Sequence, residues 1–377
     1  MRVLVDPQVF TYGRCGLVRY YSNLCSGLAA RGYRLEIPLV MSGSDFYRGW
    51  FGFWDRSAGA GRRHRLPRLL CRIMDFGTKR AYRRALKLGN YDVLLITSPG
   101  FEDDFLSNLG GRPFVMVVHD TMRALATVDG FEDPIGSTAD RLAYLARRAA
   151  HLVCVSESAK RDLVALTGLR SEQISVVHSG LMLDVDAERP IAGELPRRFL
   201  LFVGERTGRK NFRGLLRGLA PLFARHAEIK LVCIGGPLTR WENDWVESVG
   251  AAGRVVTASA SDPELSFLYR RALCLLYPSL YEGFGLPVLE AMASGCPIVT
   301  SRKGAIPEIA GDAALYVDPA DASSIGAAVA SILENSDLRN DLSARGRRQA
   351  LRFPLDRMVD GIAKCLAEGA TGATRAH

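Results

Sequence analysis

Short, almost wholly apolar runs, each followed by a segment with helical spacing, constrain this 377-residue chain more than any other feature. Val3-Leu4-Val5, residues 35–41, Tyr91 to Ile96, Pro113 to Val118 and His151 to Val155 are such runs. A strand with one wet face alternates apolar and polar residues. These do not, so they predict strands buried on both faces, as in a parallel sheet. Between them, residues 15–31 set Leu17, Tyr20, Tyr21, Leu24 and Leu28 at helical spacing and stop at Gly32. Residues 139–149 and 157–166 also read as helices. Strand and helix in alternation give a doubly wound α/β unit.

The pattern breaks once and restarts. Residues 184–198 are polar and carry Pro190 and Pro196, which marks a linker. Strands follow at 199–203, 229–234, 273–277 and 297–300, with helices at 211–224, 263–271 and 287–294. Residues 337–351 look helical, Pro354 interrupts, and 355–367 form a last amphipathic helix. The expected organisation is a Rossmann-like domain over 1–183, a linker over 184–198, and a second Rossmann-like domain over 199–352. The segment 353–377 is expected to pack back on the first domain. The length suits two domains, and 48% hydrophobic residues supply a core for each. Open parallel sheets bind ligands beyond the carboxyl ends of their strands. Two such domains facing across a cleft therefore predict a site in that cleft.

Three segments carry residues suited to chemistry. The first is Glu282-Gly283-Phe284-Gly285-Leu286-Pro287-Val288-Leu289-Glu290, after the strand Leu275-Leu276-Tyr277. Gly283 and Gly285 allow close backbone approach, and Pro287 suits a first helical turn. The N–H groups of such a turn can hold a pyrophosphate. Glu282 and Glu290 can accept bonds from sugar and ribose hydroxyls. The structural alternative is an ordinary Gly-rich turn with a solvated glutamate. The second segment is Gly208-Arg209-Lys210-Asn211, beyond Phe202-Val203-Gly204, where Arg209 and Lys210 offer a planar fork and a point charge to phosphates. Its alternative is a solvated helix start, with Arg206 and Arg213 as further surface cations. The third is His119-Asp120 at the end of the strand Pro113–Val118, with a locally satisfied histidine as the alternative. Asp184-Val185-Asp186 has D-x-D spacing but lies in the linker, not on a strand that could present a metal. No metal site is expected.

Tyr281 to Thr300, YEGFGLPVLEAMASGCPIVT, resembles the C-terminal signature of family 4 of the retaining glycosyltransferases, with two glutamates separated by seven residues. The Phe202–Gly204 and Gly208–Asn211 segments resemble that family's phosphate-binding stretch. Leu152–Leu163, Val176–Gly180 and Gly13–Leu24 resemble the end of the N-terminal domain, the approach to the linker and the first glycine loop. The matches occur in family order and leave out only about residues 42–88. There are two departures: Glu205 follows Gly204 where many members have arginine, and Cys15 precedes Gly16 where the family loop has paired glycines. The resemblance implies a GT-B fold, which is α/β with two doubly wound Rossmann-like domains facing across a cleft. It assigns diphosphate binding to Arg209 and Lys210. Donor contacts go to Gly16, Gly283, Phe284, Gly285, Leu286 and Glu290, and placement of the donor sugar to His119 and Glu282. It implies a retaining hexosyl transfer that needs no cofactor beyond the nucleotide-sugar donor. GDP-mannose is the favoured donor and a UDP-sugar the alternative. The acceptor is a glycan or a polyprenyl-diphosphate-linked glycan of surface polysaccharide synthesis, including lipopolysaccharide. A catalytically silent GT-B scaffold is the non-enzyme alternative.

Charge bears on partners. Net charge is +9, and Arg48 to Lys87 hold twelve Lys/Arg against Asp55 and Asp75, which accounts for the whole excess. Basic excess suits nucleic acid, anionic lipid or a phosphorylated ligand. No nucleic-acid reader motif is present, and no G-x-G-x-x-G follows the first strand, against nucleic-acid binding and against a nicotinamide dehydrogenase. Phe46, Tyr47, Trp50, Phe51, Phe53 and Trp54 precede Arg62-Arg63-His64-Arg65. Aromatics beside arginines suit an anionic membrane surface or a lipid-diphosphate groove, with an aromatic mini-core as the alternative. The eight cysteines form no C-x-x-C pair, no apolar run reaches the length of a membrane span, and the N-terminus lacks signal-peptide character. A cytoplasmic protein, peripheral on the inner face of the plasma membrane, is the expectation.

Overall fold

Six parallel strands form the first sheet of the computed structural model, which describes residues 1–12, 15–39, 68–98, 105–121, 137–187, 189–191, 193–206 and 208–372. They are β1 (Arg2–Val5), β2 (Arg34–Glu36), β3 (Val93–Ile96), β4 (Phe114–Val118), β5 (His151–Cys154) and β6 (Ile174–Val176), in the order β2-β1-β3-β4-β5-β6. The four inner strands are apolar after the opening Arg2 of β1 and His151 of β5, as burial on both faces requires. Helices α1 (Gly16–Ala30), α2 (Arg68–Leu88), α3 (Phe105–Asn108), α4 (Ser137–Arg148) and α5 (Glu157–Thr167) lie between them in sequence. Ser156 caps α5 by accepting from Ala159 N–H, and Gly168 ends it in the left-handed conformation. The strand expected at 35–41 is pairing only over Arg34–Glu36. Pro38 follows, and it has no N–H to extend a ladder. The aromatic and basic stretch Phe46–Arg65 lies outside the described residues.

A second six-stranded parallel sheet contains β7 (Arg198–Val203), β8 (Ile229–Ile234), β9 (Val255–Ala258), β10 (Leu275–Tyr277), β11 (Ile298–Ser301) and β12 (Leu315–Val317), ordered β12-β11-β10-β7-β8-β9. Its helices are α6 (Phe212–Arg225), α7 (Arg240–Ser248), α8 (Asp262–Arg271), α9 (Leu286–Ala293), α10 (Ile306–Ala310), α11 (Ala322–Glu334) and α12 (Ser336–Ala350). One core joins Leu200, Phe202 and Leu231 of the sheet to Leu215, Leu219, Ile325 and Val329 of α6 and α11. Those helices meet where a Cβ on Gly218 would lie 2.7 Å from the Ala322 carbonyl, and one on Gly326 would lie 2.8 Å from the Gly218 carbonyl. Only glycine permits so close a backbone approach.

The last helix, α13 (Leu355–Thr371), follows the second unit in sequence and belongs to the first by contact. It packs on β3, β4, β5 and α1, with Arg31 bridging Asp356 at 2.9 Å and Asp360 at 2.6 Å. The segment from Leu183 clusters with the second unit. Ser266 Oγ donates to the Asp184 carbonyl at 2.8 Å, and Arg189 N–H donates to the Pro263 carbonyl at 3.1 Å. The Asp184 carboxylate accepts from the N–H groups of Asp186 and Ala187, so it closes a local turn.

Strand order locates the ligand-binding edges. In the second unit the chain runs β7, β8, β9 to one side and then returns to place β10 against the other side of β7. In the first unit it returns between β1 and β3. Helix connections leave in opposite directions at such switch points, and the gap lies beyond the strands' carboxyl ends.

Candidate functional site

The second unit's switch point is built from the segments that leave β7 and β10. After β7 the chain passes Gly204 and enters a short 3-10 turn, Gly208–Lys210. Asn211 follows with φ of 55°, the one non-glycine with positive φ among the described residues. Its Nδ2 donates to the Pro278 carbonyl at 3.2 Å and the Pro319 carbonyl at 2.7 Å. These bonds hold a strained backbone and fix the preceding Arg209 and Lys210 against the segment that leaves β10. Leu280 N–H donates to the Arg209 carbonyl at 2.7 Å, a second tie between the two.

Lys210 Nζ reaches Glu282 Oε1 at 2.7 Å. The side chains are 12% and 6% exposed, so the pair is largely out of water. Tyr277, the last residue of β10, completes a triangle. Lys210 Nζ donates to its hydroxyl and sits 4.1 Å over its ring, and that hydroxyl is also hydrogen-bonded to Glu282. Burial lowers the Lys210 pKa, and the Glu282 carboxylate opposes that shift. The Tyr277 phenol is pushed well above its ordinary value, first by burial and then by Glu282. It is therefore a permanent proton donor within the triangle. An ammonium carries three protons. Tyr277 and Glu282 take two, which leaves one direction for a ligand anion.

The Glu282 loop is held from below. Ala305 N–H donates to the Glu282 carbonyl at 2.9 Å, and a Cβ on Gly304, whose φ is +59°, would stand 2.2 Å from that oxygen. Gly285, with φ of 101°, turns the chain into α9, with Pro287 in its first turn. At the start of α9 Pro287 has no N–H and the Val288 N–H already donates to the Gly285 carbonyl at 2.9 Å, so the positive end of the helix dipole there rests mainly on the Leu286 N–H. Gly283 and Phe284 are buried, and Phe284 stacks edge-on to Phe353 with ring centroids 6.0 Å apart. Glu290 is buried one turn into α9, where the Tyr269 hydroxyl of α8 donates to Oε2 at 3.0 Å. Arg206 points elsewhere. It is buried on Glu242 at 3.0 Å and donates to the Gly236 and Pro237 carbonyls at 2.8 and 3.0 Å. Burial opposes ionisation of Glu242, but bonds from Thr239 and Arg206 outweigh it and hold the carboxyl below the ordinary range.

In the first unit, His119 follows β4 directly. Its ring is edge-on to Tyr20 and Tyr21, with centroids 4.6 and 5.5 Å away, and its Nε2 lies 3.1 Å from the Tyr21 hydroxyl. Desolvation pulls its pKa down to about 3, so the imidazole is neutral. Asp6, just beyond β1 at this unit's switch point, is fully buried and accepts from Thr97 N–H at 3.1 Å and from Gln8 N–H at 3.0 Å. Burial raises its pKa to about 6 against those bonds. Gly16 is the exposed first residue of α1, and Gly13 lies outside the described residues.

The structure thus brings Arg209, Lys210 and Glu282 together with Gly283, Phe284, Gly285 and Leu286 on one sheet edge, and seats Glu290 against Tyr269. His119 and Gly16 belong to the other unit. Tyr277, Tyr269 and Tyr21 were not anticipated from sequence. Tyr277 carried one signal, a polar-tipped aromatic at the carboxyl end of a buried strand just before the Glu282 loop.

Comparisons with known proteins agree with this architecture. The family model described as Glycosyltransferase Family 4 matches residues 15–185, and that described as Glycosyl transferases group 1 matches residues 184–349. The O-antigen chain mannosyltransferase B of Escherichia coli is 30% identical over 274 residues, which cover 66% of this chain and 71% of that protein. The MMP alpha-(1->4)-mannosyltransferase of Mycolicibacterium hassiacum is 34% identical over 212 residues, covering 55% of this chain and about half, 51%, of that relative. Among solved structures, sucrose-phosphate synthase from Thermosynechococcus elongatus has a TM-score of 0.72 at 17% identity, covering 97% of this chain and 98% of that one. WaaG, a glycosyltransferase involved in lipopolysaccharide biosynthesis, has a TM-score of 0.68 at 18% identity, covering 97% and 99%.

Proposed function

The chain belongs to the glycosyltransferases of family 4 with the GT-B fold, and from that premise we propose that it transfers a hexose, with retention at the anomeric carbon, from a nucleotide sugar to a glycan or lipid-linked glycan. The observation that carries this reading is the buried Lys210–Tyr277–Glu282 triangle at the second sheet's switch point, beside the N-terminus of α9. A fold shared by many chemistries does not name a reaction, whereas a desolvated cation beside the positive end of a helix dipole fits a departing diphosphate.

In this reading Arg209 and Lys210 neutralise the diphosphate as the bond between the anomeric carbon and the β-phosphate oxygen breaks. The acceptor oxygen bonds to that carbon on the face the diphosphate leaves, and its proton passes to the departing phosphate oxygen. Glu282 holds Lys210 and presents its carboxylate to the sugar hydroxyls, while Glu290 meets the ribose. The neutral His119 places the donor sugar and adds no like charge to an oxocarbenium-like centre. Catalysis then rests on positioning and electrostatics.

Mannose from GDP-mannose is the proposed donor, because relatives at about 30% identity are named mannosyltransferases. Surface polysaccharide synthesis is the proposed setting, by the O-antigen relatives. Calorimetric titration with GDP, UDP, ADP and their sugars tests the donor. GDP binding at least tenfold tighter than UDP supports the proposal, UDP preference reassigns the donor, and binding of none removes the transferase reading in favour of a silent scaffold. The anomeric configuration of the product, read by proton NMR, decides retention.

A further inference from the structure

The amino-terminal edge of the first sheet carries a second cluster, remote from the strand ends that bear His119. His151 opens β5, Ser175 lies in β6, and Cys365 and Glu368 stand three residues apart on α13. Such spacing puts two side chains on one helix face. One donor atom from each of His151, Cys365 and Glu368 lies within 4.8 Å of the others. His151 Nδ1 is 3.7 Å from Glu368 Oε2.

We propose that His151, Cys365 and Glu368 form a three-ligand site for a divalent transition-metal cation of the zinc class, which ties the C-terminal helix to the first sheet. This site does not depend on the transferase reading. Bonds of about 2.0–2.3 Å in a tetrahedral zinc site put neighbouring ligand atoms roughly 3.3–3.7 Å apart. The histidine–glutamate edge already has that length, and the half-exposed Glu368 can turn to shorten the rest. Thiol, imidazole and carboxylate together suit zinc, whereas magnesium and calcium call for oxygen alone. Ser175 supplies the outer support that such sites use. Its hydroxyl lies 2.9 Å from His151 Nε2, which orients the ring with Nδ1 toward Glu368, and it is also hydrogen-bonded to Cys365. Cys365 is buried and Glu368 faces outward, so the fourth position is open to water. Binding replaces the Cys365 thiol proton with the metal and releases that proton to solvent. Lys364 Nζ, 3.9 Å from Glu368 Oε1, is the resident cation that the metal would compete with.

The test is cobalt(II) titration of the full chain after chelator treatment. The expected results are a near-ultraviolet thiolate-to-cobalt charge-transfer band, its displacement by zinc(II), and a rise in Tm with zinc. Cys365→Ser should abolish the band while nucleotide binding is kept. Should Cys365→Ser fail to fold, the half-exposed Glu368→Gln takes its place and should weaken cobalt binding by about tenfold or more. No band in the wild-type protein, a band that survives Cys365→Ser, or cobalt affinity unchanged by Glu368→Gln overturns the site.

Discussion

At the scale of single residues, the triangle around Lys210 gives a graded series. Lys210→Ala and Glu282→Ala should lower turnover by on the order of 10²-fold or more while the protein keeps its circular dichroism spectrum. Tyr277→Phe keeps the ring under Lys210 and removes only the hydroxyl that joins it to Glu282. A loosened ammonium loses most where phosphate charge is growing, so kcat should fall about tenfold with little change in donor KM. A role in packing alone would lower Tm and leave both constants in place. The loops that carry Lys210 and Glu282 stand out in the sequence because glycines lie beside both, Gly204 and Gly208 before the one and Gly283 and Gly285 after the other, and Gly204, Gly208 and Gly285 take positive φ. Tyr277 and Tyr269 do not, because a tyrosine on a core-facing position reads as a core aromatic, and periodicity says nothing of where its hydroxyl is aimed. Arg206 reads in the sequence as a further surface cation and is buried instead, on a partner, Glu242, that lies 36 residues away in sequence.

Asp6 and His119 make an opposed pair in the pH dependence of stability. Asp6 holds its proton up to about pH 6 when folded against about 3.8 for the free side chain, so folding favours its protonated form and its contribution declines as pH rises through that window. His119 is neutral down to about pH 3 when folded against 6.5 free, so its contribution grows as pH rises. The two slopes oppose between about pH 4 and 6, each at most about 1.4 kcal/mol per pH unit. Relative to wild type, Asp6→Asn should make stability climb more steeply with pH over this range, and His119→Asn should make it fall. Urea midpoints at three pH values within the window check both; parallel profiles in all three proteins would sink the assignment.

Among elements, burial decided what could be read. The inner strands of both sheets announce themselves by mostly apolar runs, broken only at places such as Lys230 in β8. The strands missed, β6, β9 and β12, are all sheet edges, with polar or half-exposed residues such as Ser175, Thr257 and Tyr316. A single buried face gives three or four residues no distinctive pattern. Helix α11 was missed although Ile325, Val329, Ile332 and Leu333 stand on one face at helical spacing, because Ala, Ser and Gly make up most of the rest. Those small residues are what let α6 approach. Gly326→Ala, with a Cβ 2.8 Å from the Gly218 carbonyl, should destabilise the protein by about 1–3 kcal/mol, read from urea unfolding, despite alanine's better helix propensity. Helix α2 shows the opposite case, an element left with an exposed face. Phe76, Arg80, Arg83, Arg84 and Lys87 are exposed on it. Among the described residues no helix is long and apolar enough to cross a membrane. Surface attachment through α2 predicts co-flotation with anionic vesicles at low salt and loss of it with Arg80→Glu and Arg84→Glu. Flotation equal in neutral and anionic vesicles would remove the charge-based account.

Across the whole molecule, each unit has its own core, and the helix from Leu355 completes the core of the unit that the chain left at Met182. The sequence pointed to an amphipathic helix after Pro354 and, by resemblance, to its packing back on the first domain. The contacts that seat it there pair residues distant in sequence, Gly361 against Val177 and Gly369 against Val115, where a Cβ would come within 2.8 and 2.5 Å of valine methyls. Met358, Val359, Ile362 and Leu366 of α13 are at most 1% exposed. Burying four such side chains is worth about 6–12 kcal/mol by transfer free energies. That is comparable to the whole stability of an ordinary domain, about 5–15 kcal/mol. A chain ending at Pro354 should therefore lose the first unit and keep the second. Limited proteolysis should degrade residues before Met182 and leave a resistant fragment covering Leu183–Pro354. That fragment retains Arg209, Lys210, Glu282 and the α9 N-terminus, so it should still bind the nucleoside diphosphate by calorimetry and should transfer no sugar. Digestion of both units at the same rate would mean that α13 is not what holds the first core together.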